Sequence, residues 1–237
     1  MRLQLPRLWW RKKEKHPSLA RNEQLFSKFD LSRPVDTYDF VAFDTELTGL
    51  NSRRDEIVSV AAVRIRGLQI VVGDCFYSYA RPSIEQHTTS TFIHRITPDE
   101  LREAPDLTSV LEAFVDFCGD SVLVGHFVHI DRQFLRKAMT TALGGVMRNP
   151  LIDSMQLARF HRNNRKAARV YRGVEECSYN LAELSRAYNL PVFPAHDALQ
   201  DALQTAYLFI FLVKNLWDEE GMKTLRQFRR VGRPSWD

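Results

Sequence analysis

Four acidic residues and one histidine are the residues of this sequence whose types and spacing could do chemistry. They are Asp44 and Glu46 in VAFDTELTGL, Asp131 in VGHFVHIDRQFL, and His196 and Asp201 in HDALQDALQTAYLF. Each lies in or beside an apolar run, where carboxylates are rare unless they are paired or bind a metal. If folding brings the three segments together, divalent cations are needed to offset the repulsion. Oxygen ligands of this kind suit Mg²⁺ or Mn²⁺ better than zinc.

The spacing within these segments indicates how the side chains share one site. Asp44 and Glu46 are two residues apart, so on a strand both point to one face while Thr45 points to the other. Four carboxylates can hold two metal ions about 3.5–4 Å apart, an arrangement that clamps a phosphodiester for in-line displacement. His196 follows Pro194 in a loop before a helix. A histidine there is suited to take a proton from the attacking water at neutral pH.

The elements that must position these residues follow from the apolar patterns. A buried strand ending in Asp44 and Glu46 precedes two more strands that turn near Gly67, which indicates a hairpin. Strands and helices then alternate, and a long helix begins after His196. This order predicts an α/β fold in which helices cover a mixed sheet, with a ligand site at the carboxyl ends of strands.

Composition limits the class of protein. The 237 residues are 44% hydrophobic and 26% charged, enough for one large domain with extensions. No run reaches the roughly 20 apolar residues of a membrane span, so we expect no membrane association. The three cysteines are far apart and form no CxxC motif, which argues against a zinc site or a disulfide framework. We expect a reducing, cytoplasmic location.

Basic residues are concentrated outside the acidic motifs. Residues 1–36 carry nine Lys and Arg against four Asp and Glu, and residues 159–172 carry six basic residues and no acid. We predict a basic N-terminal extension (1–36), a catalytic domain (37–216) and a short basic tail (217–237). Basic flanks beside an acidic site suit a polyanionic substrate, although each run could equally be solvated surface. The Trp9–Trp10 pair could dock on a partner protein or on nucleic-acid bases, or belong to a disordered tail.

The motifs FDTELTGL, HxxxxD and a second HxxxxD before an apolar helix resemble the DnaQ-like 3′–5′ exonucleases of the DEDDh type. The resemblance runs from about residue 38 to residue 215 and includes IHRITPDEL, LIDSMQLAR and SYNLAELSRAYNL. It implies a ribonuclease H-like sheet of about five strands flanked by helices. It also implies a metal-dependent hydrolase that removes nucleotides from the 3′ end of DNA, releasing nucleoside 5′-monophosphates.

The resemblance also implies residue roles. Asp44, Glu46, Asp131 and Asp201 stand at the ligand positions for two Mg²⁺ ions, for which Mn²⁺ would substitute, and His196 stands at the general base. The terminal nucleotide would lie against Leu47, Thr48, Gly49 and Leu50. The chain departs from the family at Leu47, where Thr is common, and at Phe127, where Asn is common; we expect Phe127 to pack into the core.

Neighbouring polar residues have structural interpretations. We expect Asp197 and Asp153 to sit at helix N-termini, His126 and His129 to be hydrogen-bonded structural histidines, and Asp55 and Glu56 to be solvated in a loop.

The sequence leaves open the choice between DNA and RNA and the role of the protein as enzyme or accessory subunit. The substrate could be RNA rather than DNA, because discrimination depends on contacts to the 2′-hydroxyl. The preference for single strands is a further expectation. The protein could also be an accessory subunit that binds a polymerase or another replication protein through the N-terminal extension, with nuclease activity secondary.

Overall fold

A computed structural model describes residues 14–83, 96–167 and 178–234. Trp9, Trp10, Cys177 and part of the basic stretch 159–172 lie outside the described residues, so the predictions made for them stay predictions. Among the described residues, no helix combines the length and the apolar character needed to cross a membrane.

Five strands form one mixed sheet. They are β1 (Phe40–Leu47), β2 (Ile57–Arg66), β3 (Gln69–Tyr79), β4 (Val122–Gly125) and β5 (Leu151–Asp153), in the spatial order β3-β2-β1-β4-β5. β1 pairs antiparallel with β2, and β2 with β3, whereas β4 runs parallel to both β1 and β5. The predicted α/β fold with a mixed sheet of about five strands is confirmed.

Eight described helices surround the sheet. They are α1 (Pro17–Leu25), α2 (Pro98–Glu103), α3 (Leu107–Cys118), α4 (His129–Leu143), α5 (Ser154–Ala167), α6 (Leu181–Ala187), α7 (Ala198–Glu220) and α8 (Leu225–Val231), with a 3₁₀ turn at Val35–Thr37. The helices α3 and α4 cover one face of the sheet, whereas α7 packs on the other, with α5, α6 and α8 beside it.

The central strand β1 is buried on both faces because its residues alternate between two cores. Phe43 points to the α3 face, where its ring centroid is 5.8 Å from that of Phe114. Phe40 points to the α7 face, where its ring centroid is 4.8 Å from that of Phe209. A continuous apolar run is typical of a strand that is covered on both faces. The alternation of side chains along the strand also determines which side chains at its polar end face α7.

Described residues beyond both predicted domain boundaries contribute to the packed core. Leu19 of α1 and Val35 are buried, and α7 continues to Glu220 before α8 buries Leu225 and Phe228. The predicted boundaries at 36/37 and 216/217 stay predictions, but described residues on the far side of each boundary are packed against the catalytic domain.

Candidate active site

Three carboxylates meet where β1 ends beneath the first turn of α7. Asp44 and Glu46 lie two residues apart on β1, and Asp201 lies in the first turn of α7. Each offers a carboxylate oxygen, and these oxygens all lie within 4.8 Å of one another. The strand and the helix N-terminus therefore bring together residues that are more than 150 positions apart in sequence.

The electrostatics of this cluster are unfavourable for three ionised carboxylates. Burial raises the pKa of Asp44 well above its ordinary value, and the charges of Asp131, Asp201 and Glu46 raise it further. Burial, followed by the charges of Asp201 and Asp131, raises the pKa of Glu46 to about 8. Burial also raises the pKa of Asp201. A bound cation would reverse these shifts by stabilising the ionised forms.

Asp131 approaches the cluster from the opposite face of the sheet. It lies in the first turn of α4, where its Oδ1 accepts a hydrogen bond of 2.5 Å from the Thr45 hydroxyl. Burial raises the pKa of Asp131 to about 6 although this hydrogen bond lowers it. Asp131 is outside the three-carboxylate group, but its charge raises the pKa of both Asp44 and Glu46. Thr45 points away from Asp44 as expected and orients Asp131, a role that the sequence did not suggest.

The donor set fits a hard divalent cation. Convergent carboxylate oxygens are the ligands that Mg²⁺ and similar ions take in proteins. The cluster in the described structure contains several like charges and no compensating Lys or Arg among the causes that shift Asp44 or Glu46. The arrangement can therefore hold a divalent metal ion.

His196 lies in the loop that enters α7. Its side chain is exposed, its backbone adopts a left-handed φ of 68°, and its N–H donates a hydrogen bond of 3.0 Å to Asp201 Oδ2. The next residue, Asp197, is the N-cap of α7 and accepts from the N–H groups of Leu199 and Gln200. The interpretation of Asp197 as a helix-terminal residue is confirmed, and the strained His196 is tied to one of the clustered carboxylates.

Leu47 ends β1, and Thr48, Gly49 and Leu50 begin the loop that follows it. Thr48 is buried and exchanges hydrogen bonds with the backbone of Glu56, whereas Leu50 is 78% exposed. A Cβ at Gly49 would lie 2.4 Å from Asp55 Oδ2, so the loop requires glycine there. Close packing against Asp55, rather than approach by a ligand, is what the structure shows as the reason for glycine at this position.

Asp55 was expected to be solvated, and this expectation is wrong. It is 8% exposed, and its Oδ2 accepts a hydrogen bond of 2.7 Å from the Asn51 N–H. Asp55 therefore closes the loop behind Gly49. Flanking arginines suggested solvent exposure, but the carboxylate turns inward to satisfy backbone donors of the turn.

Phe127 was expected to pack into the core, and the structure differs. Phe127 is 37% exposed just after β4, and its backbone has a left-handed φ of 52°. Its N–H donates to Asp153 Oδ1, which also caps α5 through the Met155 N–H, as predicted for Asp153. Asn tolerates the left-handed region far better than Phe, so the departure from the family motif carries a conformational cost.

His126 is a structural histidine, as expected. Its Nε2 lies 2.8 Å from the Tyr179 carbonyl oxygen and its Nδ1 lies 2.9 Å from Ser154 Oγ. Burial lowers its pKa to about 4. The structural interpretation of His129 stays a prediction.

Two tyrosines that the sequence analysis did not select share the face of the carboxylates. Tyr77 is paired across the sheet with Ala61, the partner of Asp44, and Tyr79 is paired with Ser59, the partner of Glu46. Burial, followed by a hydrogen bond with Tyr79 and that residue's charge, raises the pKa of Tyr77, to which the charge of Asp197 also contributes. Only the register of β3 reveals this proximity, because alternation within one strand does not show which residues of its neighbours lie beside it.

Comparison with known proteins decides the family. The family model described as Exonuclease (RNase_T) matches residues 41–209, which include all five predicted catalytic and ligand residues. This chain belongs to the RNase_T exonuclease family. The predicted enzyme class, a 3′–5′ exonuclease, and the predicted resemblance are confirmed.

Relatives of the chain include proteins named as DNA polymerase III components. The chain is 30% identical to the DNA polymerase III subunit epsilon of Aquifex aeolicus over 192 residues, which cover 81% of this chain and 89% of that protein. It is also 30% identical to the PolC-type DNA polymerase III of Caldanaerobacter subterraneus subsp. tengcongensis over 81% of this chain, which is only 13% of that protein.

A solved structure supports the assignment of fold. Exonuclease X in complex with 5′-overhanging duplex DNA is 25% identical and superposes with a TM-score of 0.59, covering 81% of this chain and 99% of that one. The ribonuclease H-like exonuclease fold predicted from the motifs is therefore the fold of this chain.

Proposed function

We propose that the protein hydrolyses the last phosphodiester bond at the 3′ end of single-stranded DNA and releases nucleoside 5′-monophosphates. The observation that carries the proposal is the convergence of Asp44, Glu46 and Asp201 within 4.8 Å, in a family of exonucleases. The names of the epsilon subunit and of Exonuclease X support DNA as the substrate.

Two Mg²⁺ ions are proposed as the cofactors, with Mn²⁺ able to substitute. Asp44, Glu46 and Asp201 would hold them together with Asp131, whose Oδ1 is oriented by Thr45. Bound cations would acidify the attacking water and neutralise charge that develops on the phosphate. The raised pKa values of Asp44 and Glu46 are the signature of a site with excess negative charge.

His196 is proposed as the general base. Its exposed imidazole would take a proton at a ring nitrogen from the water that attacks the terminal phosphorus. The bond between phosphorus and the 3′ oxygen of the preceding nucleotide breaks, and that oxygen leaves on the shortened strand. The hydrogen bond from the His196 N–H to Asp201 fixes this loop to the carboxylate cluster.

The terminal nucleotide is proposed to lie against Leu47, Thr48, Gly49 and Leu50. Thr48 is hydrogen-bonded to Glu56 and Gly49 is packed closely against Asp55, while Leu50 presents an exposed apolar side chain that could wedge against a base. A rigid loop with one exposed apolar side chain suits recognition of a frayed 3′ end.

An RNA substrate and association with a polymerase stay as alternatives. The relative named epsilon is a DNA polymerase III subunit, which favours a replication protein as a partner, bound through the N-terminal extension. Cytoplasmic location likewise stays a prediction.

The test is a gel assay with 5′-labelled single-stranded DNA and RNA of one sequence, with Mg²⁺, Mn²⁺ or EDTA. We expect DNA to shorten from its 3′ end in Mg²⁺ and in Mn²⁺, and to stay intact with EDTA, His196→Ala or Asp201→Asn. Asp218→Asn is the matched control, because Asp218 is an exposed carboxylate near the other end of α7. Intact DNA with every metal would overturn the proposal, and faster degradation of RNA would reassign the substrate.

A further inference from the structure

Phe127 is an aromatic residue that packing into the protein interior does not explain. It lies just after β4, is 37% exposed and belongs to neither of the two hydrophobic cores of the described chain. Among the described residues, its ring contacts the ring of His126, at 5.0 Å between centroids and 79° between planes. An edge-to-face pair leaves at least one face of the Phe127 ring uncovered by its partner.

The backbone at this position does not require phenylalanine either. Its φ of 52° lies in the left-handed region, where its N–H donates a hydrogen bond of 3.2 Å to Asp153 Oδ1. Asparagine or glycine adopts this region with less strain than an aromatic residue does. The chain therefore keeps an aromatic ring here at a conformational cost, and such costs recur at residues that have a function.

The end of β4 places Phe127 beside the carboxylate cluster. β1 and β4 are parallel neighbours, with Ala42 opposite Val124. Asp44 lies two residues beyond Ala42, and Phe127 lies three residues beyond Val124, so both are at the carboxyl edge of this strand pair. Asp131 follows Phe127 by four residues, in the first turn of α4. A base next to a phosphate that the carboxylates hold is therefore close to this ring.

The neighbour of Phe127 gives its ring a fixed support. His126 Nε2 lies 2.8 Å from the Tyr179 carbonyl oxygen, and its Nδ1 lies 2.9 Å from Ser154 Oγ. Because both ring nitrogens have partners, the imidazole is held in one orientation. An aromatic ring that rests on a fixed neighbour loses little freedom when a base stacks on it, which lowers the entropic cost of binding.

We propose that Phe127 stacks on a base of the substrate strand next to the bond that is cleaved. Aromatic side chains bind single strands in this way, and the contact tolerates every base because each base has a π face. The proposal rests on the proposed function, because it assigns a further contact to the same substrate. It makes Phe127 a substrate-binding residue for DNA and RNA alike.

The experiment compares wild type with Phe127→Leu on two single-stranded 20-mers of deoxythymidine. One strand is complete, and the other has abasic tetrahydrofuran residues at its last three positions, so that it keeps the backbone and lacks the terminal bases. The complete strand is assayed for removal of its first nucleotide. The abasic strand is tested as its competitor, so that an inhibition constant is obtained whether or not the abasic strand is cleaved.

Val72→Ala is the control for loss of an exposed apolar side chain. Val72 is 96% exposed near the turn between β2 and β3, and this turn adjoins the start of β1 rather than its carboxyl end. Its KM and inhibition constant should equal those of wild type. Thermal melting checks that every variant is folded.

We expect Phe127→Leu to raise KM for the complete strand by roughly fivefold or more, the lower range for loss of one stacked base. The inhibition constant of the abasic strand should change by less than about twofold, because the ring has no base to contact there. Phe127→Tyr should keep the wild-type KM, since it keeps an aromatic face.

Phe127→Asn separates binding from structural support. It should melt at a higher temperature than wild type, because the backbone strain is relieved, and yet raise KM for the complete strand as Phe127→Leu does. A purely structural role of the ring predicts that stability and affinity change in the same direction.

The outcomes separate this proposal from the proposed function. Wild-type protein that leaves the complete strand intact would defeat the proposed function. Wild-type protein that cleaves it, with Phe127→Leu and Phe127→Asn matching the control in KM, would overturn Phe127 as a base-binding residue. An equal loss of affinity for the complete and the abasic strand would also overturn it, because the ring would then support the site without contacting a base.

Discussion

The β1–β2 hairpin carries charged side chains near both of its ends, buried at one end and half-buried at the other, and their surroundings differ. Arg64, opposite Val41 near the start of β1, is 9% exposed. Its guanidinium donates to Asp74 Oδ2 at 3.0 Å, Ser121 Oγ at 2.8 Å and the Phe117 carbonyl oxygen at 2.5 Å. It also lies over the Phe117 ring, 4.5 Å from its centroid. At the other end, Asp44 and Glu46 face further carboxylates.

The difference shows how a buried charge can be assigned to structure or to function. Arg64 has an acidic partner and acceptors for its donors, so it ties β2 and β3 to the end of α3 and needs nothing from outside. The carboxylates at the other end raise one another's pKa values and need a cation to stay ionised together. Two ends of one hairpin therefore have opposite requirements.

The largest expected effect is on catalysis. We expect Asp44→Ala to lower the rate of 3′-end cleavage by at least about 10³-fold, because a ligand position is lost. We also expect the variant to melt at a temperature equal to or a few degrees above wild type, because repulsion within the cluster falls. A clear loss of stability would show that Asp44 is structural, like Arg64. Single-turnover cleavage and differential scanning calorimetry measure the two effects.

Arg64→Met should have the converse effect. Removing the Arg64 guanidinium leaves Ser121 Oγ and the Phe117 carbonyl oxygen without their donor and weakens the part-buried pair with Asp74, which costs about 1–3 kcal/mol of the free energy of unfolding. Cleavage per folded molecule should be unchanged. Urea denaturation measures the loss, and Arg102→Met is the control, since Arg102 forms an exposed ion pair with Asp99 that contributes less than about 1 kcal/mol. Equal losses for both variants would contradict the comparison.

His126 differs from the charged side chains at both ends of the hairpin, because its imidazole stays neutral and so places no charge in the protein interior. Its pKa in the folded protein is about 4, below the ordinary value of about 6.5. The unfolded chain therefore takes up this proton first as pH falls. Stability should be lost between pH 6.5 and pH 4, by about 3 kcal/mol in total.

The measurement for His126 is the free energy of unfolding of wild type and His126→Gln at pH 7, 5.5 and 4.5. The difference between the two proteins should shift in favour of His126→Gln as pH falls. A difference that is independent of pH would mean that His126 is protonated in the folded state as readily as in the unfolded state.

The smallest expected effect concerns backbone strain near the site. Phe127 has a φ of 52°, whereas at the hairpin turn after β2 the comparable φ of 54° belongs to Gly67. Phe127→Asn should stabilise the protein by about 1 kcal/mol, since Asn tolerates the left-handed region. Phe127→Leu should not stabilise it, because Leu tolerates the left-handed region no better than Phe does. Both variants lose the exposed ring, so a higher melting temperature for Phe127→Asn than for Phe127→Leu would show relief of backbone strain. Equal melting temperatures would contradict the interpretation that the backbone of Phe127 is strained.

Much of the site was predictable because its motifs are local. The interval of two between Asp44 and Glu46 requires a shared face on any strand, and Asp197 before an apolar helix predicts an N-cap. Asp55 and Phe127 were mispredicted because the direction of a loop side chain depends on distant partners. The flanking arginines of Asp55 and the apolar character of Phe127 were the strongest local features, and backbone hydrogen bonds to Asn51 and Asp153 outweighed both.

The alternation of strands and helices, the five proposed site residues and the family motif could all be predicted from the sequence, because these depend on residue type and on spacing within single elements. The contact by which Thr45 orients Asp131 and the position of Tyr77 on the face of the carboxylates became visible only in the tertiary structure. Each of these contacts joins segments far apart in the chain. Their geometry is set by strand register and helix packing, which no local pattern of residues encodes.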